Sequence, residues 1–321
     1  MTVVAEDPDP RAAAMDEGLL FVLGRADDMR AEVYVRRADR ADEGGPCVVT
    51  GTLAGPRCSL ATTLPTTIRL VDLPGARPPT ARGIVTEPSY WTPEMPNLYR
   101  LDARASAGPR EVHCERLVGL RRLGVRGNSL WLEGRRWVPR AVACDAATFD
   151  MRSLHAASTA AVLVRPPESA CGAADAAGVA IIAEVDAGSD ADAARASLLE
   201  WSRHPAVVVA VVPATHAADV GGMRSVLGTM LIAVEVDGSG PPPKPPTGID
   251  CLVVTLAPGA SLHAGWRAGV PTLPLIARRK WGGGPPADRR HCDALQAELA
   301  AWSCAGSRAQ PARDWAGYLV G

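Results

Sequence analysis

Residues 179–185 read VAIIAEV and residues 206–212 read AVVVAVV. The second is an unbroken apolar run of strand length and the first is interrupted only by Glu184, so neither shows the polar alternation of a strand that faces water on one side. Such runs suit parallel strands buried on both faces. Working outward, the theme recurs as VPRAVAC at 138–144, AAVLV at 160–164, MLIAVEV at 230–236, CLVVTL at 251–256, LPLIA at 273–277 and WAGYLV at 315–320. Ala-rich, helix-compatible stretches fall between them, near 153–158, 170–177, 190–201, 217–227 and 288–302. GSGPPPKPPTG at 238–248 predicts a stiff loop without helix, and 258–271 is too Gly-broken for a full one. Eight such strands close a (β/α)8 barrel. For residues 114–321 we therefore expect a TIM-type α/β barrel with shortened loops.

Upstream the rhythm differs. Residues 19–113 contain short β-type runs, AEVYVRR, CVVTGTLAG, TTIRLVDLPG, RGIVTEP and NLYRLDARA, punctuated by Gly and Pro. That spacing predicts an antiparallel, immunoglobulin-like β-sandwich. Residues 1–18 are polar and Pro/Ala-rich and read as a flexible tail.

With 47% hydrophobic residues and a formal charge of −1, the chain can build a large core but has no net field to recruit nucleic acid or an anionic membrane. The start, MTVVAEDPDPRAAAMDEG, lacks the pattern of a secretory leader, and no apolar run reaches the ~18 residues of a membrane span. A cytoplasmic location is the expectation. Eight scattered cysteines, without C-x-x-C pairs or histidines at zinc-ligand spacing, read as reduced core residues; a Cys47–Cys58 pairing across a hairpin is the alternative. No cofactor and no metal are expected.

Three motifs carry a resemblance. WTPEMPNLYRLDA at 91–103 is Pro-locked against helix and suits a rigid edge. GLRRLGVRGNSLWLEGRRWVPRAVACD at 119–145 places GN and EG turn dipeptides between β-like runs, a hairpin leading into the first barrel strand. WSRHPAVVVAVVPAT at 201–215 enters the fourth strand through His204-Pro205. Together they resemble the β-galactosidases and β-glucuronidases of glycoside hydrolase family 2, whose corresponding segments are W-S-P-E-x-P-x-L-Y, G-F-R with N-G-x-x-x-x-x-G, and R-N-H-P-S. The resemblance covers about 33–321 and leaves the family's N-terminal jelly roll without a counterpart.

In that family the fourth strand ends in Asn-Glu, the glutamate being the general acid/base, and the nucleophile closes the seventh strand. Here the alignment brings Ala214 and Thr215 to the first place and Arg278, Arg279 and Lys280 to the second. Cys144 replaces a histidine before the retained Asp145, Thr255 stands where Asn-Tyr follows strand six, and Arg165 matches a family arginine. Glycoside hydrolysis needs two carboxyl groups, one to donate a proton and one to attack carbon or activate water. The resemblance thus implies a degenerate, glycosidase-like pseudoenzyme, acting in carbohydrate binding or as a scaffold for a protein partner or its own copies. Asp145, Arg165, Glu184, Trp281 and Trp315 are candidate binding residues, and Trp266 a further candidate for sugar stacking. The alternative is an active glycosidase with relocated acids, Glu184 and Glu235, at the ~6.5–9.5 Å separation of an inverting pair. His204 reads as structural, with a backbone partner.

Overall fold

A computed structural model describes residues 18–37, 47–108, 110–267, 272–283, 286–305 and 314–321. All but the last residue of the expected tail lie outside them. The chain divides into two compact units, residues 1–89 with 97–120 and residues 90–96 with 121–321.

The first unit is one curled antiparallel sheet. Its strands are β1 (Leu19–Ala26), β2 (Arg30–Arg37), β3 (Val48–Arg57), β4 (Thr66–Asp72), β5 (Thr80–Thr86), β6 (Leu98–Ala107) and β7 (Arg110–Val118), in the order β1-β2-β5-β4-β3-β6-β7. Alternation drives it: Ala31, Val33 and Val35 of β2 and Leu101, Ala103 and Ala105 of β6 are buried while their neighbours are not. The expected two layers are hydrogen-bonded into a single sheet through a seam of two pairs, Val71↔Arg82 and Asp72↔Ala81. The boundary expected at 113/114 falls inside β7, which belongs wholly to this sheet. Cys47 and Cys58 flank the same ten-residue strand, β3. At ~3.3 Å per residue they stand about 36 Å apart along the strand, too far for a disulfide.

The second unit opens with a meander of β8 (Leu123–Arg126), β9 (Ser129–Leu132) and β10 (Arg135–Trp137). Its turns are the GN and EG dipeptides, with positive φ at Gly127, Glu133 and Gly134. Eight parallel strands then close a barrel: β11 (Arg140–Ala143), β12 (Ala160–Val164), β13 (Ile181–Glu184), β14 (Val207–Val212), β15 (Leu231–Asp237), β16 (Cys251–Leu256), β17 (Leu275–Arg279) and β18 (Gly317–Val320). β18 pairs back onto β11 through Arg140↔Tyr318 and Val142↔Val320. Every residue of β14 and β16 is buried, as the apolar run of β14 and the nearly apolar run of β16, broken only by Thr255, require.

The helices are sparse. They are α1 (Met151–Ala156), α2 (Glu168–Ala177), α3 (Ala191–Trp201), α4 (Ala217–Gly221) and α5 (Arg289–Cys304). Asp150, Asp190 and Asp288 cap the first, third and fifth by accepting hydrogen bonds from first-turn N–H groups. The helix expected over 217–227 stops at Gly221, where a Cβ would lie 2.5 Å from the Thr247 carbonyl oxygen. Between β15 and β16, and between β16 and β17, the described residues hold no α-helix, only a 3₁₀ turn at Ala264–Trp266. No helix among the described residues is long and apolar enough to cross a membrane.

The WTPEMP segment packs with the barrel. Trp91 is fully buried and its indole N–H donates to the Asp175 carbonyl at 2.9 Å. His155 Nε2 lies 3.0 Å from the Pro93 carbonyl oxygen. A polar core beneath sets the approach to β14. Asp175 accepts from the Ala206 N–H at 2.7 Å, and its other oxygen meets His204 Nδ1 at 2.7 Å. Fully buried Arg121 donates to the Pro205 and Val207 carbonyls, and burial lowers its pKa to about 9. His204 is structural in this arrangement, but its partner is a carboxylate instead of the backbone.

Candidate active site at the barrel mouth

Barrel enzymes carry their chemistry at the C-terminal ends of the strands. At that end Glu184 closes β13, Glu235 lies near the end of β15, Thr255 near the end of β16 and Arg278 beside it on β17, paired in register with Thr255. Successive residues of a strand point to opposite faces. Arg278 accordingly reaches inward. Arg279 turns outward, donates to the Ala257 and Ala260 carbonyls at 2.8 and 2.7 Å, and pairs with Glu298 of α5.

The Arg278 guanidinium lies between the two glutamates. Its Nη1 is 2.5 Å from Glu184 Oε1 and 3.9 Å from Glu235 Oε1, its Nη2 is 3.3 Å from Glu184 Oε2, and its Nε donates to the Gly321 carbonyl at 3.0 Å. Because one nitrogen touches both, at 2.5 and 3.9 Å, those two oxygens stand at most about 6.4 Å apart, just below the lower limit of an inverting pair. The side chains of Glu184 and Arg278 are 11% and 12% exposed. Burial pushes the Glu184 carboxyl above the usual range, the Arg278 charge and hydrogen bond oppose that shift, and Glu235 adds to it. Glu235 is more open and accepts from the Thr255 hydroxyl at 2.7 Å.

Beside this triad is a cleft of about 470 Å³ lined by Pro213, Ala214, Glu235, Asp237, Thr255 and Lys280, among others. Ser239 holds Asp237 through its hydroxyl and backbone N–H, and these bonds keep the Asp237 carboxyl below its ordinary range. Thr215, on the 3₁₀ turn Ala214–His216 that follows β14, is exposed and brings no carboxylate.

The remaining candidates are dispersed. Asp145 caps a turn by accepting from Ala147 N at 2.9 Å. Cys144 is half-buried, and desolvation raises its thiol pKa to about 11, which leaves it a poor nucleophile. Arg165 has φ 45° and faces Asp186 at 3.9 Å from an exposed position. Trp281 packs edge-on against His291, ring centroids 4.4 Å apart. Trp315 is 3% exposed and precedes β18, at the N-terminal end of the barrel, and Trp266 is fully buried with its N–H on the Gly240 carbonyl. Neither buried tryptophan offers a sugar a stacking face at the mouth, contrary to expectation. A second cleft, about 220 Å³ and lined by Pro93, Trp137, Pro139, His155 and Thr159, lies at the N-terminal ends of β11 and β12. That is the face on which barrels rarely place chemistry.

Asp237 and Ser239 were missed as lining residues. The signal was the D-G-S turn directly after the fifth apolar run, where Asp and Ser favour local capping. Sequence reasoning treated Arg278 only as a missing carboxylate; its partnership with Glu184 spans 94 positions and has no local signature.

No family model matches the sequence, and no curated protein matches it. Solved structures match by shape. A β-glucuronidase from Ruminococcus gnavus aligns at TM-score 0.65 and 12% identity, over 94% of this chain and 60% of that one. A glycosyl hydrolase family 2 member from Bacteroides cellulosilyticus gives 0.60 and 14%, over 94% and 43%. The Parabacteroides merdae β-glucuronidase gives 0.56 and 14%, over 95% and 47%. The chain spans about half the length of these structures. At such identities the likeness concerns the fold, and in fold this chain is similar to the family 2 glycoside hydrolases.

Proposed function

We propose that this chain is a family 2-like glycosidase homologue that does not cleave glycosides and works instead as a carbohydrate-binding or scaffold protein. One observation carries the reading: the gap between the two inward carboxylates holds a guanidinium. Hydrolysis needs one carboxyl free to give a proton to the leaving oxygen and a second facing the anomeric carbon, with the sugar between them. Glu184, gripped at both oxygens by Arg278, is tied as an acceptor. The places that resemblance assigns to the acid/base and the nucleophile hold Thr215 and the Arg278-Arg279 pair. The strand order β1-β2-β5 and β4-β3-β6-β7 supports an immunoglobulin-like reading of the sheet, and the closed parallel barrel supports a TIM-type ancestry with helices pared away. The mouth cleft, with Glu235, Asp237 and Lys280, is the surface on which a polar ligand would sit.

The second reading, an active hydrolase using Glu184 and Glu235, is favoured by their proximity and by the raised pKa of Glu184, which suits a proton donor. Assay of aryl β-galactosides and β-glucuronides separates the two. Purified protein should not exceed a blank, and Glu184→Gln with Glu235→Gln should leave that result unchanged. Turnover that disappears in the double variant would establish the hydrolase.

A further inference from the structure

Residues i and i+2 of a strand share a face of the sheet, and the residue directly opposite on the next strand completes a triangle with them. His113 and Glu115 of β7 stand in this relation to Asp102 of β6, which is paired in register with Glu115. One donor atom from each of the three lies within 4.8 Å of the others, the sole such group among the described residues. Neighbouring Leu101, Ala103 and Cys114 point inward and are buried, so the triangle is held on the outer face by the same alternation that forms the core.

Charge makes the arrangement unusual. Carboxylates directly opposite on paired strands repel. Arg100 offsets part of this, with Nη2 2.5 Å from Glu115 Oε1, while Arg104 pairs with Glu111 at 3.6 Å and Thr52, opposite Asp102 on β3, brings no charge. The His113 imidazole is already directed at Asp102, Nε2 to Oδ1 3.0 Å. The side chains of Asp102, His113 and Glu115 are 43%, 32% and 46% exposed, open enough for a hydrated ion to reach them.

We propose that Asp102, His113 and Glu115 form a site for a divalent transition metal, best matched by Zn²⁺, with solvent completing the coordination. One imidazole with two carboxylates suits that class of ion. Ligand bonds of ~2.0–2.2 Å require the three donor atoms to converge by small side-chain rotations from their present spacing. Two carboxylate charges balance the ion. The metal takes the place of the His113–Asp102 hydrogen bond, with a neutral imidazole carrying its proton on Nδ1, and Arg100 swings away from Glu115.

Calorimetric titration of the full chain with ZnCl₂, with MgCl₂ as the control ion, tests the site. Because free thiols also bind zinc, the result is read from variants. Wild-type protein and Cys304→Ser should both bind one equivalent that is lost, or weakened at least about tenfold, in His113→Ala and in Glu115→Gln, since loss of a ligand costs no less than loss of its outer-shell partner. Arg100→Ala should bind at least as tightly as wild type, because it removes a competing cation. If the wild type takes up no zinc, or both ligand variants retain the full equivalent, the site does not exist. Should His113→Ala fail to unfold cooperatively, Glu115→Gln decides alone, its amide keeping the size and position of the half-exposed carboxylate.

Discussion

Replacing Arg278 with methionine keeps much of the side chain's bulk and removes its charge. In the native barrel that charge sits against Glu184 through two nitrogens, both partners being nearly buried, and a third nitrogen serves the Gly321 carbonyl. Removing one partner of a buried pair leaves the other charge uncompensated, which costs about 3–5 kcal/mol. For a unit of this size that corresponds to a drop in Tm of roughly 10 °C. All eight tryptophans lie in the barrel unit, so tryptophan fluorescence reports its unfolding without interference from the sheet. The deficit should depend on pH. Burial already raises the Glu184 pKa, and without Arg278 the opposing influence is gone, so the folded value rises further. A carboxyl with a raised folded pKa contributes stability that is fully present below its unfolded value, ~4.3, and is lost as pH rises through the folded value. Arg278→Met should therefore be closer to wild type at pH 5 than at pH 8. Adding Glu184→Met should restore the barrel to within about 1 kcal/mol of wild type, since apolar replacement of a whole buried pair is often neutral. A single variant that costs under about 1 kcal/mol, or a double variant no better than the single, would refute the claim that this pair is a committed, desolvated clamp.

Two further outcomes follow from the barrel core. Asp175→Ala strips a buried acceptor from His204 and from the Ala206 N–H and leaves Arg121 without a nearby negative charge, so urea unfolding should show a loss of about 3 kcal/mol, while a surface control such as Asp192→Ala stays within ~0.5 kcal/mol. Gly178 ends α2 at φ 72°, and a Cβ there would stand 2.3 Å from the Pro93 carbonyl oxygen, so Gly178→Ala should cost about 2 kcal/mol or more in thermal unfolding; a neutral result would mean the WTPEMP segment shifts freely.

The barrel was legible in the sequence because parallel strands buried on both faces are apolar over most of their length. AVVVAVV and CLVVTL state their burial without reference to any partner, and the eight predicted strand starts fall within a few residues of those observed. Helix starts were legible where Asp190 and Asp288 cap them; the first helix begins earlier than the expected 153, at the Asp150 cap, and the expectation failed at 217–227, where Gly221 yields to a loop far along the chain. The strand β1 escaped notice because LLFVL lacks alternation, and the single curled sheet depends on a two-pair seam that no local pattern encodes. The mouth was decided by tertiary structure alone. Arg278 and Arg279 are adjacent and chemically identical, yet strand alternation sends one into the barrel and the other onto α5. Closure of the barrel then sets Arg278 against Glu184, four strands away in one direction around the ring and four in the other, a meeting fixed by curvature and register and by no spacing along the chain.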